Sequence, residues 1–442
     1  MARTLKSKKE LAMNPKNVLL VGGGGRESAI GWKLLQSPRL GKLYVAPGNA
    51  GTARIAKNVP LKATNIDGLL AFALKEGIEL TIVGQDDPLA LGIVNAFQAK
   101  GLTIFGPTKA AAQIEASKVF SKRLMKDCGV PTALFDVYTD HALALENVRR
   151  HFAAYSGLPI VVKASGLALG KGAYVCHDLV KAEQALDEVM VKRLHGSAGD
   201  EVIIEEYAGG QEVSIHAFCD GKSFKLFPSA QDHKPAFDGD KGPNTGGMGT
   251  IAPVPWFSGY DAVSQQIVGP ILGGLREKGS PFVGLLYPGL KMSRVGLMTL
   301  EFNARFGDPE TQVYMRLLKT DLLDIFEACV EGRLHEIKVE WNPGFAACIV
   351  MASGGYPSPD YKKGLPITGI DNAEILPGVI VFHAGTKNAD GQFVTSGGRV
   401  LGVTAIGTTL QEALDLAYNG VKCIHFEGMQ YRKDIGAKSL GI

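Results

Sequence analysis

The sequence predicts a protein of mixed α/β and α+β class with three domains, and three features lead to that prediction. An apolar strand runs through four glycines into a helix at NVLLVGGGGRESAIGWKLL, which is typical of a doubly wound domain. β-Branched strands such as PIVVKAS and EVIIEEY, separated by glycine loops and helices, indicate an α+β region. After about Trp341, short strands and turns indicate a small third domain.

The order of these elements sets the expected domain boundaries. A chain of 442 residues is long enough for about three domains. Further strands at 42–46, 80–84 and 102–106 follow the first at helical spacing, so we expect a parallel sheet with ligands at the carboxyl ends of its strands. A late helix is expected from Leu410 to about Ile424. The expected divisions are an N-terminal extension at 1–15, a doubly wound domain at 16–116, a central domain at 117–340 and a small α+β C-terminal domain at 341–442.

Composition and charge narrow the class of function. A net charge of +3 is small for this length and gives no reason to expect nucleic acid or a membrane as a partner. The six cysteines are scattered without CxxC spacing, which argues against a zinc site and a disulfide framework and favours a cytoplasmic protein. No apolar run approaches the roughly 20 residues that cross a bilayer. A mitochondrial presequence is the alternative for the lysine-rich start, although Glu10 argues against it.

The segment EFNARFGDPET, residues 301–311, is the most informative stretch for chemistry. It places Glu301, Asn303 and Arg305 two residues apart on an expected strand, so all three should share one face. Carboxylate and amide oxygens suit Mg²⁺, which keeps substrate phosphates in its shell. An arginine beside the metal could stabilise phosphoryl oxygens. The alternative is an ordinary strand edge with solvated charges.

Loops of the doubly wound domain suggest an anion-tolerant pocket. The glycine turn at 22–25 begins a helix, and backbone amides at such a point bind phosphate. Ser28 stands at the third glycine position of a dinucleotide motif, and the loop at 47–52 replaces the acidic ribose ligand, so a single phosphate fits better than NAD. Asp86 follows the strand at 80–84 and could accept from ligand hydroxyls or an amine. The alternatives are close packing without a ligand, and helix capping by Asp86.

The central region carries groups suited to a nucleotide. Lys163 ends the strand PIVVK, and the loop ASGLALGKG that follows could close over polyphosphate with Lys171. This is not a P-loop, because Lys171 is followed by Gly172. The strand in VIIEEYAGGQE could offer backbone groups to adenine at 205–208 and leave Glu212 for ribose hydroxyls. A surface turn and a solvated strand end are the alternatives.

A dense polar loop, SAQDHKPAFDGDKGPNTGGMG, occupies residues 229–249. A loop of this length is uncommon unless it is functional. His233 and its carboxylate neighbours lack the helical spacing of a zinc site. We therefore expect this loop to recognise a small substrate.

Taken together, these motifs resemble one enzyme family from about Asn17 to Ile442. They are VGGGGRES, PGNAGTA, KASGLALGKG, DHKPAFDGDKGPNTGGMG, LEFNARFGDPETQ, SGGYP, FHAGT and GGRVL. The chain is similar to the phosphoribosylamine–glycine ligase family of the ATP-grasp superfamily. The resemblance implies an ATP-grasp domain with a mobile lid subdomain at about 132–207. It also implies the second step of de novo purine (IMP) biosynthesis, in which ATP, glycine and 5-phosphoribosylamine give ADP, phosphate and glycinamide ribonucleotide through glycyl phosphate.

The resemblance further implies roles for individual residues. Glu301 and Asn303 match the ligands of Mg²⁺ or Mn²⁺, and Arg305 is assigned to transition-state charge. The co-substrate ATP would be held by Lys118, Lys163, Gly166, Lys171, Gly172, Glu205, Glu206, Tyr207, Ala208 and Glu212. The small substrates would be held in the first domain by Gly24, Gly25, Arg26, Glu27, Gly48, Asn49 and Asp86, and in the polar loop, which would position glycine, by Asp232, Lys234, Asn244, Thr245 and Gly246.

Three residues depart from the family pattern. Ser28 stands where many members have histidine, Ser165 where aspartate is common, and Asp86 where glutamate is usual. None of these changes removes a metal or phosphate ligand, so we expect an active enzyme. We also expect a monomer or a weak homodimer.

Two other hypotheses stay open from the sequence, namely another ATP-grasp ligase of purine or biotin metabolism and a nucleotide-binding regulator without catalysis. A nicotinamide oxidoreductase is disfavoured because the second strand lacks its acidic residue.

Overall fold

The N-terminal region is built around a parallel sheet of five strands in the computed structural model of the protein, which describes residues 15–167 and 172–441. Every pairing in this sheet is parallel, which confirms the expected doubly wound arrangement. The strand order is Lys57–Asn58, Leu40–Pro47, Lys16–Gly22, Leu80–Val83 and Ile104–Phe105. The helices of this region are Gly25–Leu34, Thr52–Ile55, Ile66–Glu76, Asp86–Leu91, Ile93–Gln98 and Gln113–Ala116.

The central region begins with a separate antiparallel sheet of four strands. Most of its buried positions are occupied by β-branched residues, as the sequence pattern predicts, and Lys163 and Glu205 are buried among them. The strand order is Phe135–Tyr138, Val202–Glu206, Ile160–Ala164 and Ala173–Cys176. The helical segments that precede or cover it are Lys118–Asp127, His141–Ala154, Leu179–Leu186, the π-helix Asp187–Val191 and the 3-10 helix Gly196–Gly199.

A second antiparallel sheet of the central region carries Glu301 and Asn303, the predicted metal ligands. Its longest strand, Val283–Ser293, pairs with Gly296–Asn303 and has a register shift next to Glu301. Bulges of this kind often re-aim a side chain beside a functional site. The remaining strands are Gln211–Ser214, Ala217–Asp220 and Phe224–Leu226. The helical segments are Tyr260–Ala262, the π-helix Val263–Val268, Gly269–Glu277, Glu310–Leu317, Leu322–Val330 and the 3-10 helix Leu334–Glu336.

A third sheet joins strands from both sides of residue 340. Its order is Gln231–Asp232, Gly249–Ala252, Phe345–Ala352, Arg399–Gly407 and Val379–His383, all antiparallel. The polar loop at 229–249 therefore begins and ends in the same sheet as the C-terminal strands. Two-stranded ribbons pair Pro235–Phe237 with Lys241–Asn244 and Thr386–Ala389 with Gln392–Thr395, and the helices are Ile370–Glu374, Leu410–Cys423 and Ala437–Leu440.

One apolar cluster connects the three regions. It contains Leu20 of the first sheet, Phe306 after the metal strand and Val350 of the third sheet, all of them buried. Dense packing of this kind fixes the relative positions of the elements that carry polar groups. Within residues 15–167 and 172–441, no helix is both long and apolar enough to cross a membrane.

Candidate active site

The sheets surround a cleft with a volume of about 500 Å³. Members of every predicted ligand group line it, although they come from segments far apart in the chain. The predicted residues in its lining are Arg26, Asp86, Lys118, Lys163, Gly172, Glu205, Tyr207, Ala208, Glu212, Lys234, Asn244, Thr245, Gly246, Glu301, Asn303 and Arg305.

Other predicted residues lie outside that lining. Glu27 is fully buried, where its Oε2 accepts from the Gly24 N–H at 2.6 Å and its Oε1 lies 2.6 Å from Arg26 Nε. It therefore fixes the glycine turn and orients Arg26, which does line the cleft. Lys171 lies outside the described residues. The predicted residues that do not line the cleft are Gly24, Gly25, Glu27, Gly48, Asn49, Gly166, Glu206 and Asp232.

A buried carboxylate pairs with two lysines on the nucleotide side of the cleft, which is the side where the sequence predicts the ATP-binding residues. Glu205 lies 2.5 Å from Lys163 Nζ and 2.6 Å from Lys122 Nζ. Burial would raise the pKa of Glu205, but the two lysines outweigh it and hold the pKa below its usual range. Burial likewise opposes charge on Lys163, yet Glu205 and Glu301 leave its pKa raised. Lys163 is therefore a permanent cation that faces the cleft.

The ends of this nucleotide side are formed by a helix start and a strand end. Ser165 O accepts from the Lys118 N–H at 2.6 Å, and Lys118 Nζ donates to Gly166 O at 3.3 Å. At the other end, Lys291 Nζ lies 5.0 Å from the centre of the Tyr207 ring and 3.6 Å from Glu212. Cations thus line the cleft along its length, as a polyphosphate ligand requires.

The predicted metal ligands lie together, but Arg305 is not on their strand. The strand ends at Asn303, and the turn after it returns Arg305 so that its Nη2 donates to Asn303 Oδ1 at 2.9 Å. Burial opposes charge on Glu301, but Lys118 and Lys163 lower its pKa, so it is an ionised oxygen donor. No cluster of three or more His, Cys, Asp or Glu arranged for a metal occurs among the described residues. Two oxygens still fit Mg²⁺, which completes its shell with phosphate and water.

Glu115 holds Arg305 in place from the opposite side. Its Oε1 lies 3.1 Å from Arg305 Nε, and its Oε2 accepts from the Ala304 N–H at 2.7 Å. Burial raises the pKa of Glu115 in spite of the attraction of Arg305. Both the guanidinium and the backbone next to it are therefore fixed by one side chain.

A second polar cluster lies at the inner end of the cleft. Lys234 Nζ is 2.8 Å from Asp232 Oδ2, and Tyr287 donates to Glu310 Oε1 at 2.5 Å. Burial raises the pKa of Asp232 to about 6, even though Lys234 opposes the rise. His216 stacks on Tyr287 with 4.0 Å between ring centres and accepts from the Gly307 N–H. Burial lowers the pKa of His216 to about 3, so its ring stays neutral.

An arginine of the C-terminal region closes the cleft beside this cluster. Arg399 Nη1 donates to Gly246 O and to Asp308 O, at 2.6 Å each, and Arg399 Nη2 lies 3.4 Å from the Asp308 carboxylate. Burial would raise the pKa of Asp308, but Arg399 and Arg26 outweigh it and keep the pKa low. The motifs GDPETQ and GGRVL are thereby joined, although they lie about 90 residues apart.

The structure shows what surrounds the three residues that depart from the family pattern. Ser28 Oγ donates to His383 O at 2.6 Å, and Ser165 Oγ accepts from the Val119 N–H at 3.3 Å. Asp86 does not cap its helix, because the N-cap position is Gln85 and makes no side-chain capping bond. Its carboxylate instead lines the cleft.

Sequence reasoning missed several groups that the fold brings to the cleft. Asp308, Glu310 and Arg399 lie inside motifs that were singled out, so their positions beside Glu301 and Gly246 could have marked them. Glu115 and Lys122 lie outside those motifs and carry no local signal. Only the long-range contacts to Arg305 and Glu205 reveal them.

Comparisons with known proteins agree along most of the chain. Family models described as the N, ATP-grasp (A) and C domains of phosphoribosylglycinamide synthetase match residues 16–115, 116–311 and 346–438. A phosphoribosylamine–glycine ligase of Caldanaerobacter subterraneus subsp. tengcongensis is 46% identical over 422 residues, which are 95% of this chain and 99% of the relative. One of Nostoc sp. is 48% identical over 426 residues, which are 95% of this chain and 98% of the relative.

Solved structures give the same result. The crystal structure of phosphoribosylamine–glycine ligase from Thermotoga maritima has a TM-score of 0.77 and 34% identity, and it covers 95% of this chain and 99% of its own. The biotin carboxylase domain of the Hydrogenobacter thermophilus 2-oxoglutarate carboxylase has a TM-score of 0.72, covers 94% of this chain and 91% of its own, and is 15% identical. The latter likeness is one of fold alone.

The fold and the cleft define an ATP-grasp ligase. A cation-lined surface, the oxygen donors Glu301 and Asn303 and the polar loop around Lys234 meet in one cleft. The chain belongs to the phosphoribosylamine–glycine ligase family, which acts in the second step of purine biosynthesis. This confirms the resemblance, and it sets aside the oxidoreductase and the other ATP-grasp ligases.

Proposed function

We propose that this cleft activates glycine with ATP and passes it to 5-phosphoribosylamine. One observation carries the proposal: the oxygen pair Glu301 and Asn303 faces the same cleft as Lys163 and as Arg26 and Asp86 of the first domain. A nucleotide, an acid and an amine could therefore meet without any substrate leaving the site. Such positioning alone can supply several kcal/mol of a reaction barrier.

In the first proposed step, a carboxylate oxygen of glycine attacks the γ-phosphorus of ATP. A new O–P bond forms, the bond to ADP breaks, and glycyl phosphate results. Lys118 and Lys163 are placed to neutralise the phosphates, and Arg305 is placed to stabilise the charge on the transferred group. The backbone at 205–208, where the strand Val202–Glu206 ends, would receive the adenine, with Glu212 near the ribose.

In the second proposed step, the amine of 5-phosphoribosylamine attacks the acyl carbon of glycyl phosphate. The C–O bond to phosphate breaks, the amide forms, and the amine proton leaves to water or phosphate. Arg26 and Asp86 line the side of the cleft that belongs to the first domain, so they would bind this substrate. Lys234, Asn244 and the loop around them would hold glycine.

A divalent cation, Mg²⁺ or Mn²⁺, would be held by Glu301 and Asn303. Its chemistry is that of a Lewis acid which neutralises phosphate oxygens. Arg305, which donates to Asn303 Oδ1, would keep that oxygen directed into the cleft. We further infer a cytoplasmic monomer or weak homodimer, and light scattering of the purified protein would measure its mass in solution.

The test is ADP release from MgATP with glycine and with 5-phosphoribosylamine generated in place. We expect ADP only when both are present, together with glycinamide ribonucleotide detected by mass. ATP binding without turnover would contradict the proposal and favour the regulator hypothesis. The variant Lys163→Met, which removes the positive charge from the cleft, should reduce ADP release. Thermal unfolding is the control and should show that this variant is folded.

A further inference from the structure

We propose that the ion pair between Asp240 and Arg432, which we call the lock, positions the polar loop at 229–249 for glycine. The substrate hairpin is residues 235–244, and the C-terminal clamp is residues 432–439. The inference rests on the proposed function, because it assumes that Lys234 and Asn244 bind glycine. Among the described residues, the side-chain partners of Arg432 are Pro235, Asp240 and Asp434, none of which lines the cleft, so Arg432 would act as a positioning residue through the hairpin.

Arg432 is the centre of the lock. Its side chain is 1% exposed, although arginine is among the residues least often buried. Arg432 Nη1 lies 2.9 Å from Asp240 at the hairpin tip and donates to Pro235 O at 3.2 Å. Its other nitrogens pair with Asp434 at 2.7 Å. One guanidinium thus holds both the tip of the hairpin and the residue next to Lys234.

Backbone groups on both sides add to this attachment. The Lys433 N–H donates to Asp238 Oδ1 and the Gly239 N–H donates to Asp434 Oδ2, at 2.8 Å each. Lys438 pairs with Asp240 as well. Hydrogen bonds thus run in both directions between the hairpin and the clamp, which fixes their relative register.

The base of the hairpin enters the cleft. Thr245 donates to Lys234 O through its N–H and through its Oγ1, at 2.8 Å each. His233, just before the hairpin, accepts from the Gly436 N–H of the clamp at 3.1 Å. The clamp therefore reaches the hairpin at its tip and at its base, where Lys234 lines the cleft.

The hairpin has little else to hold it. The strand Lys241–Asn244 is exposed at every position. An isolated two-stranded hairpin is marginally stable at best in water, so its position depends on contacts to other elements. Since Lys234 and Asn244 both lie at the base of this ribbon, where Pro235 pairs with Asn244, a shift of the hairpin would displace both cleft residues together.

The principal test is Asp240→Asn, with Asp324→Asn as its control. Asp240 has a φ of 55°, a conformation that asparagine also tolerates, and Arg432 keeps its bonds to Asp434. Asp324 likewise pairs with an arginine, Arg39, which keeps a second partner, but it lies away from the hairpin. The side chains of Asp240 and Asp324 are 32% and 39% exposed, so the two changes are closely matched.

We expect Asp240→Asn to raise the KM for glycine about tenfold while kcat and the KM for ATP change by less than about twofold. Asp324→Asn should leave all three constants unchanged. If Asp240 had a merely structural role, both variants would be less stable, and the KM for glycine would not change more than the KM for ATP. An unchanged KM for glycine in Asp240→Asn would overturn the lock.

Two further variants separate failure of the lock from failure of the proposed function. Lys234→Met should raise the KM for glycine directly; if it does and Asp240→Asn does not, the lock falls while the glycine assignment stands. If Lys234→Met leaves the KM for glycine unchanged, the glycine assignment falls and the lock falls with it. Arg432→Met should speed hydrogen exchange of the amides at 236–242 and at Asn244 but not of those in the strand Ile160–Ala164. Unchanged exchange in the hairpin would also overturn the lock.

Discussion

Arg305 illustrates how one side chain can depend on another from a distant part of the chain. It follows the strand that carries Glu301 and Asn303, and its direction is set by Glu115, nearly 200 residues earlier. A guanidinium fixed before substrate binds does not need to reorganise during the reaction. Its effect on phosphoryl charge should therefore be sensitive to the loss of Glu115.

Glu115→Gln should lower kcat while the KM for ATP changes little. The amide can still accept from the Ala304 N–H, but it loses the charge that holds Arg305. A small misplacement of a catalytic group costs up to about 100-fold in rate, so we expect a loss of about 10- to 100-fold. Steady-state ADP release measures it. Glu340→Gln, at an exposed ion pair with Lys338, should have no effect; an equal loss in both variants would contradict the assignment.

Glu301→Ala should abolish ADP release and leave the fold intact. The carboxylate faces the cleft among Lys118 and Lys163 and contributes no packing to the apolar clusters. Full activity in this variant would contradict the metal assignment. Thermal unfolding of the variant is the control, and its midpoint should lie close to that of the unchanged protein.

Individual site residues were predictable to different degrees. Glu301, Lys163 and Asp86 stand at strand ends, so local pattern was enough to predict that they reach the cleft. Glu115 and Lys122 interact only with residues far along the chain, and no local pattern encodes such a contact. Glu27 was placed in the substrate site because it lies in the glycine motif, whereas its side chain caps the turn from inside.

The connection at 207–210, between the strands Val202–Glu206 and Gln211–Ser214, depends on one glycine. Gly210 has a φ of 115°, and a Cβ there would lie 2.0 Å from Met292 O. Gly209 has open space around its Cβ position. The two neighbours therefore offer a matched pair in which only one substitution strains the backbone.

Gly210→Ala should destabilise the protein, and Gly209→Ala should not. The unfavourable backbone conformation alone costs about 1–2 kcal/mol, and the contact with Met292 O adds to it. Because residues 206–208 lie just before this turn, the KM for ATP should rise as well. Urea unfolding and ATP kinetics of both variants measure this. Equal stability of the two would contradict the strained turn.

At the level of elements, the sequence predicted strands better than their ends. The first parallel strands and the helix Leu410–Cys423 lie where periodicity indicated them. The strand with the predicted metal ligands ends at Asn303 rather than running on through Arg305, because the backbone bends at residues 304 and 305. The polar loop contains a short ribbon, Pro235–Phe237 with Lys241–Asn244, that its glycines and prolines concealed.

The stability of the whole molecule should depend on buried neutral histidines. Burial lowers the pKa of His216 to about 3 and the pKa values of His233 and His383 to about 4, below the ordinary value of 6.5. Between those values the unfolded chain binds more protons than the folded one, so the free energy of unfolding falls as pH drops from about 6.5 towards 4. Asp232, with a raised pKa of about 6, and Glu115, whose pKa burial also raises, act in the opposite direction. Glu205, Glu301 and Asp308, whose pKa values are lowered by neighbouring cations, act in the same direction as the histidines.

We expect the free energy of unfolding to be lower at pH 5 than at pH 7.5, by urea denaturation. Each pKa unit corresponds to about 1.4 kcal/mol, so three histidines should outweigh Asp232. His383→Asn should reduce the difference between the two pH values. The exposed His335→Asn should not. Equal stability at pH 5 and pH 7.5 would contradict this account.

The three-region organisation was predictable, but the way the regions meet was not. Local pattern identifies a doubly wound sheet, yet it does not show that Gln231–Asp232 and Gly249–Ala252 join the C-terminal sheet. That pairing requires contacts across about 100 residues, and such pairings are set by the assembled core rather than by nearby sequence. Arg432, which pairs with Asp240 of the polar loop, lies outside every motif quoted above, so no local pattern indicates this contact.

The most direct test of the central claim follows the carboxylate oxygens of glycine during turnover. Glycine labelled with ¹⁸O in its carboxylate is incubated with the protein, MgATP and 5-phosphoribosylamine, and the released phosphate is analysed by mass. If glycyl phosphate forms, the broken C–O bond leaves one glycine oxygen in each phosphate, and we predict that label there. Phosphate without label, released while glycinamide ribonucleotide accumulates, would contradict activation of glycine in this cleft.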